Sequence, residues 1–427
     1  MAGQRKHILI LGAGPFQVPL IGRARERGYA VATFDNRPEN PGHALADFSR
    51  NVSTTDVEGC LAAARDFRPD AVLTTASDVA VPTVARLCEA LALPGPSKHA
   101  ADVLADKGRF RRYQFERKVA TVAHRVATTR AEAEAFFRTL PGRCVVKPVD
   151  ASGSRGITIV GNEDQFAGAF PVAKRASRCG RVCLEAFLDG VEVGGDAFFI
   201  GGEPRFLAVT RKACTPPPRQ IPVGHVVPGD LDAHAQQSIA RQLAGVLAPL
   251  DYTGPVNFDV ICRPGRTPVV IDIGIRNGGN CIPEIIRLAT GVDLLAAALD
   301  AALGETPRLT GRGAPGACGV RMLTSPTGGV VRSVPDAAAL RRRFPEIIDL
   351  HYDIRPGQRV ERFTHGGCRL GHVLVRGPAP DCVEALLDAI ASAAAPVVQP
   401  EWLRTSATAC SLRRGADTTL TARSKTA

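Results

Sequence analysis

Apolar and polar positions alternate in blocks along this chain. The runs HILILGAG from His7, YAVATFD from Tyr29 and DAVLTTAS from Asp70 are strand-like. Helix-spaced stretches separate them, one through Arg27, one near 56–67 and one through Leu91. That order predicts a βαβαβ unit with a parallel sheet. The punctuation Leu93-Pro-Gly-Pro-Ser97 predicts a boundary, with Ser97 capping a helix over 98–118. Residues 143–160 and 181–202 each read as strand, connection, strand. FLAVTRKA from Phe206 is another strand, CTPPPRQIPVGHVVPGDL from Cys214 a proline-stiffened rim, and 233–250 a helix.

The segment Val256–Arg287 then reads as a hairpin, a Gly-rich loop and a helix. Its turn, Arg263-Pro264-Gly265-Arg266-Thr267, places proline and glycine where a reversal needs fixed or positive φ. Centring it on Gly265-Arg266 sets Asp259 opposite Asp272 and Asn257 opposite Gly274, on one face. The other face carries Phe258, Val260, Ile271 and Ile273. Facing carboxylates repel unless they share a proton or a cation. They read either as solvated acids or as oxygen ligands for Mg²⁺, with Arg276 beside them as an anion clamp.

The chain of 427 residues has length for two or three domains and an ordinary apolar fraction of 45%. No run of eighteen apolar residues and no signal-peptide cleavage pattern occurs, so the expected location is cytoplasmic. The twelve cysteines show no CxxC pair and read as reduced thiols. A net charge of +11 raises nucleic acid as a partner. No basic stripe interleaves with aromatics, so neither nucleic acid nor membrane is expected, and acidic small molecules fit the charge better. Residues 403–427 lose periodicity and read as a disordered basic tail.

Several loops carry candidate chemistry. Gly12-Ala-Gly14 with Asp35 is a partial dinucleotide fingerprint without its third glycine, equally a tight turn required by the fold. Ser77 and Asp78 end a strand and are either a helix cap or a substrate contact. Lys107 reads by itself as a solvated helix lysine. Lys147 ends an apolar strand. The loop Ser152-Gly153-Ser154-Arg155-Gly156 can wrap phosphate oxygens or be a flexible hairpin. Substrate specificity is expected on loops 12–17, 35–42, 74–78 and 211–228, which nominates Ser77, Asp78, Arg211 and Lys212 together with Arg276 and Asn277.

In this order, Asp106-Lys107, Val146-Lys147-Pro148, the Ser/Gly loop, Glu185-Ala186-Phe187-Leu188, Glu192, Asp259, Asp272 and Arg276 resemble the ATP-grasp superfamily. The likeness covers roughly 8–303 and is closest to the biotin-carboxylase and carbamoyl-phosphate-synthase branch. It implies an α/β and α+β fold with a Rossmann-like domain at 1–96. An ATP-grasp domain of two α+β subdomains would follow at 97–310, about 107–183 and 184–310, then a small α/β lid at 311–402. It implies Lys107 and Lys147 on the ATP phosphates, residues 152–156 closing over them, and Glu185 with the backbone of Ala186, Phe187 and Leu188 on adenine. Glu192 would hold ribose, Asp259 and Asp272 would hold Mg²⁺ or Mn²⁺, and Arg276 would steady the transferred phosphoryl group. The family's usual asparagine two residues after the second metal acid is Gly274 here. The hairpin register offers Asn257 as its replacement.

The implied activity is ATP-dependent joining of a small carboxylic acid to an amine through an acyl phosphate. A carboxylate–thiol ligase serving an acyl-carrier protein, a bicarbonate-dependent carboxylase and a nucleotide-binding module without turnover are the alternatives. A homodimer is compatible with the resemblance.

Overall fold

The computed structural model describes residues 5–400. The tail expected at 403–427 lies outside them. The N-terminal blocks form β1 (His7–Leu11), α1 (Val18–Glu26), β2 (Ala30–Asp35), β3 (Phe48–Asn51), α2 (Val57–Phe67), β4 (Ala71–Leu73) and α3 (Val81–Ala90). The strands are parallel in the order β3-β2-β1-β4. Ile8 and Ile10 pack on α1 and on Leu295 and Leu299 of a later helix, while Leu9 and Leu11 pack on Cys60, Ala64 and Leu87. Both faces are covered, so these runs show no polar alternation. β3 was not foreseen, because the edge sequence FSRN is polar and largely exposed.

The single helix expected over 98–118 is two: α4 (Lys98–Leu104) and α5 (Lys107–Glu116). Asp106 adopts an extended backbone and accepts the Arg109 N–H at 2.9 Å, which starts the second helix at Lys107. Next come β5 (His124–Ala127), α6 (Arg130–Phe137), β6 (Cys144–Pro148), β7 (Thr158–Val160), α7 (Glu163–Ala176) and β8 (Val182–Ala186). They build a four-stranded antiparallel sheet in the order β5-β8-β6-β7.

The central elements are β9 (Val191–Ile200), β10 (Glu203–Cys214), β11 (Pro222–Val227), α8 (Ala233–Leu247), β12 (Gly254–Cys262), β13 (Val269–Gly274), α9 (Ile282–Thr290) and α10 (Leu294–Ala302). Then follow β14 (Ala317–Leu323), β15 (Gly329–Ser333), α11 (Ala337–Arg343), β16 (Ile347–Tyr352), β17 (Arg359–Val360), β18 (Gly371–Gly377), α12 (Pro380–Ala393) and β19 (Val397–Gln399). One eight-stranded sheet runs β13-β12-β9-β10-β11-β14-β18-β16, and β17-β15-β19 form a small separate one. Two differences from expectation follow. The proline-rich rim contains a strand, β11, whose only proline is its first residue, where no ladder N–H is lost. The main C-terminal strands join the central sheet through β14, which pairs with β11 on one side and β18 on the other.

The hairpin register is as the turn dictates, with Asn257 opposite Gly274 and Asp259 opposite Asp272, and Gly265 has φ +66°. Beyond Asp259 a bulge shifts the ladder so that Val260 faces Val270. The bulge takes Ile271 out of the apolar face and puts Val270 there, fully buried with Phe258, Val260 and Ile273.

Candidate active site

Four chain segments converge on the bulged hairpin: the start of α5, the ends of β6 and β8, and β10. Lys107 opens α5, held by its N–H to the Val149 carbonyl at 2.9 Å. Its Nζ lies 3.2 Å from the Ala151 carbonyl and 3.6 Å from Asp272 Oδ1. Lys147 ends β6 with its Nζ 2.9 Å from Glu185 Oε1. Lys212, on β10, reaches Glu192 Oε1 at 2.5 Å and Asp259 Oδ1 at 2.7 Å. Side chains alternate along a strand, so Arg211 points the other way. It pairs with Asp230 and with Asp381 and Glu384 of α12. Arg211 is therefore not a substrate residue. It fastens α12 to the back of the sheet.

The facing aspartates are split electrostatically. Burial pushes the Asp259 pKa up, and repulsion from Glu192 and Asp272 adds to it against the pull of Lys212. Burial also opposes charge on Asp272, but Lys107 and Lys147 outweigh it and hold that carboxyl below its ordinary range. Lys212 is buried as well, yet Asp259 and Glu192 keep it charged, with its pKa raised.

Beneath these groups lies a residue that the sequence did not single out. Arg111 is fully buried, and every N–H of its guanidinium has an acceptor. Nε and Nη2 clamp Glu185 at 2.8 and 2.9 Å, Nη1 reaches Gln114 Oε1 at 2.7 Å, and Nη1 and Nη2 reach the Val270 and Ile271 carbonyls at 2.8 Å. The two carbonyls flank the bulge. Lys107 and Arg111 are four residues apart on one helix face, the signal that could have found it. Glu185 is turned inward between Arg111 and Lys147, which hold its pKa far below the carboxylate range despite burial. Any adenine contact from 185–188 would therefore come from backbone. Of that backbone, the Ala186 and Phe187 N–H groups donate to the Ala123 and Arg143 carbonyls at 2.9 Å.

Arg276 lies 2.7 Å from Asp78 Oδ1. Ser77 half-buries beside Asp78 without capping the short turn that follows. Asn277 is 1% exposed and its side chain lies beside the buried carboxyl of Asp196. The expectation that Asn257 supplies a metal oxygen across from Gly274 fails. Its Nδ2 donates to Asp196 Oδ1 and to the Gly195 carbonyl, both at 2.9 Å, which draws the side chain to β9 and away from β13. Nor is there room at Gly274: a Cβ there would sit 2.5 Å from Asp78 Oδ1 and 3.0 Å from Arg276 Cζ. The register was right, but β12 has two neighbours and the amide bonds to the other one.

The phosphate-loop candidate spans residues 151–156, with Gly153 at φ +65°, Ser154 at +60° and Gly156 at +72°. Its Gly153 carbonyl accepts the Gly366 N–H at 3.0 Å, which docks it on the C-terminal segment. The Gly12–Gly14 turn is structural: Asp35 Oδ2 accepts the Ala13 N–H at 2.9 Å and does not face outward to a ribose. Glu361, His365 and Cys368 form a cluster with ligand atoms within 4.8 Å of one another. His365 Nδ1 accepts the Gly367 N–H at 3.0 Å, so the proton of the neutral ring is on Nε2, facing Cys368 Sγ at 3.3 Å. The lone pair that a metal would need is not offered. The eleven cysteines among the described residues are unpaired, and no described helix is long and apolar enough to cross a membrane.

Behind the site, His225 is buried against Thr210 Oγ1 at 2.9 Å. Burial, then the charge of Lys212, pushes its pKa down to about 3. The unfolded chain binds this proton below about pH 6.5 and the folded chain refuses it, so stability falls as pH drops. Between pH 6.5 and pH 5 this one group is expected to cost about 2 kcal/mol. Urea unfolding at the two pH values should show that loss shrink in His225→Gln.

A second concavity, of about 410 Å³, lies between the 15–19 turn, the start of α9 and the C-terminal strands. Its apolar wall includes Pro15, Phe16, Val18 and Leu295, and its polar lining includes Glu284, Asp349, Asp353, Arg369, His351 and His372.

Residues 140–284 match the ATP-grasp domain family, and residues 321–399 match the family described as L-amino acid ligase C-terminal domain 2. Over 390 residues the chain is 24% identical to the uncharacterized protein y4rH of Sinorhizobium fredii, covering 90% of this chain and 76% of that one. It is 27% identical over 187 residues to a formate-dependent phosphoribosylglycinamide formyltransferase of Mycolicibacterium smegmatis. That match spans 43% of this chain and about half, 47%, of the relative. Among solved structures, the L-amino acid ligase of Bacillus licheniformis superposes with a TM-score of 0.79 at 19% identity, over 93% of this chain and 100% of that one.

Proposed function

The chain belongs to the ATP-grasp superfamily and is an ATP-grasp ligase, and from that premise we propose that it joins an amino acid or similar small carboxylic acid to an amine through an acyl phosphate. One observation carries the choice of amide formation over thioester formation or carboxylation. The segment similar to L-amino acid ligases supplies Asp349, His351, Asp353, Arg369 and His372 to the cavity beside the Arg276 loop.

Phosphoryl transfer asks for positioning and charge neutralisation. In this reading Lys107 and Lys147 would receive β- and γ-phosphate oxygens, and the 152–156 loop would add backbone N–H groups. Arg276 is pre-aimed by Asp78, as a clamp on the carboxylate and the phosphoryl group arriving at it. Enzymes of this superfamily use ATP with Mg²⁺. Asp259 and Asp272 fit that ion as two hard anionic oxygens in a site whose lysines already balance them, with phosphate and water to complete the shell. When bound, the ion neutralises phosphate charge. The chemistry needs no activated serine or cysteine.

Two measurements test the reading. ADP release should appear with some members of a carboxylic-acid pool and rise with amines. ¹⁸O in the acid's carboxylate should emerge in the released phosphate, and hydroxylamine should trap a hydroxamate. Label emerging in AMP, with none in inorganic phosphate, would replace the acyl phosphate by adenylation.

A further inference from the structure

The 410 Å³ cavity has an unbalanced charge inventory. Three carboxylates line it, Glu284, Asp349 and Asp353, against one arginine, Arg369, and two histidines, His351 and His372. That arginine is already used. Its Nε is 3.0 Å from Asp353, and its guanidinium stacks 3.8 Å from the Phe16 ring centre. Asp349 is shared between His372 Nε2 at 3.1 Å and Arg341 at 3.2 Å. Buried Glu284 Oε2, Asp353 Oδ2 and His372 Nδ1 all lack a hydrogen-bond partner, but Asp353 Oδ2 has the Arg369 ion pair and His372 bonds Asp349 through Nε2, whereas Glu284 has neither. Burial pushes its pKa up against the pull of its own backbone N–H and of His372, and neighbouring Asp196 adds to the rise. A half-buried carboxylate in this condition is completed by a cation that donates hydrogen bonds.

The rest of the lining constrains what that cation is attached to. Pro15, Phe16, Val18, Pro19, Leu45 and Leu295 form an apolar wall, which suits a hydrocarbon body and not a bare ion. Gly278 and Thr75 also line the cavity, two residues after Arg276 and three before Asp78. The occupant therefore lies next to the arginine at which, on the reading above, the acyl group is activated. A second carboxylate is the wrong partner for a cavity with this excess of acids.

We propose that this cavity receives the amine substrate, a primary amine with an apolar body, and that Glu284 is the residue that selects it by accepting its ammonium N–H groups. This rests on the carboxylate–amine ligase reading. The bound ammonium gives up one proton to solvent water to become the nucleophile. Its lone pair forms the C–N bond, the C–O bond to phosphate breaks with its electron pair, and the second N–H proton leaves with the phosphate as HPO₄²⁻. Glu284 acts before these steps, on binding.

Glu284→Gln keeps the shape and removes the charge. With an acid found active in the ADP-release screen, its KM for an apolar primary amine such as a phenylalanine amide should rise tenfold or more with kcat within about twofold. Hydroxylamine is small and uncharged at neutral pH, so hydroxamate formation should be unchanged in the same protein. Val18→Phe, which fills the apolar wall, should discriminate against bulky amines and leave hydroxylamine turnover intact. It serves where the Glu284 variant folds poorly. An unchanged amine KM in Glu284→Gln, or an equal loss with hydroxylamine, overturns the proposal. Wild-type protein that makes no hydroxamate with any acid overturns the ligase reading instead.

Discussion

Asp272→Asn should lower turnover by about a hundredfold or more while leaving the protein folded. A hundredfold corresponds to about 2.7 kcal/mol of transition-state stabilisation. The argument rests on the split between the two aspartates. Asp272 is the one held ionised, by Lys107 and Lys147, whereas burial and repulsion raise the pKa of Asp259. Removing the charge of Asp272 takes away the firmer of the two anionic oxygens offered to Mg²⁺. It also frees Lys107, whose 3.6 Å contact is long enough to be given up without strain. Folding should change little, since relief of repulsion on Asp259 offsets the lost attraction to Lys107. The checks are steady-state ADP release across a Mg²⁺ series and a thermal melt. Wild-type turnover in a well-folded Asp272→Asn protein would remove both aspartates from the metal assignment.

Arg111→Met should cost about 3–5 kcal/mol of stability, the range for breaking a buried ion pair from one side. The substitution fills similar space and deletes all five donors at once. Glu185 would keep Lys147 but lose its bidentate partner, and the Val270 and Ile271 carbonyls would lose theirs inside the core. Adding Glu185→Gln should return part of the loss, because the stranded charge goes with it. Urea unfolding of the single and double variants checks this. A loss below about 1 kcal/mol in the single variant would mean that water or Lys147 replaces the clamp.

What could be read from residues alone was what neighbours in sequence determine. The Pro-Gly turn at 264–265 fixed the register of Asp259 against Asp272, because a hairpin has one reversal and a period of two. The bulge was not visible, so Ile271 was placed in a core that holds Val270. Asn257 was assigned from the strand it faces in the hairpin, whereas β9, sixty residues earlier, holds its amide. Arg111 was hidden among Arg109, Arg112 and Arg117, and its spacing of four from Lys107 became informative only with Glu185 seen as its buried partner. The amine cavity draws on residues 15–19, 284 and 349–372, a combination that no local pattern contains.

The continuous eight-stranded sheet decides which part of the enzyme can swing. The C-terminal strands β14, β18 and β16 are joined to the hairpin that carries Asp259 and Asp272 through an unbroken ladder of strand pairs. A lid motion of that segment would have to tear backbone hydrogen bonds, a cost no ligand-driven closure meets easily. The four-stranded sheet of residues 124–186 shares no ladder with it. It carries Lys147, Glu185 and the 151–156 loop, and it meets the larger body at the guanidinium of Arg111, which grips Glu185 on one side and the bulge carbonyls on the other. Any rotation of the small sheet would pivot at this buried guanidinium and would have to release the Gly153–Gly366 and Ile159–Pro218 backbone hydrogen bonds at its far edge, with the amine cavity on the half that stays still.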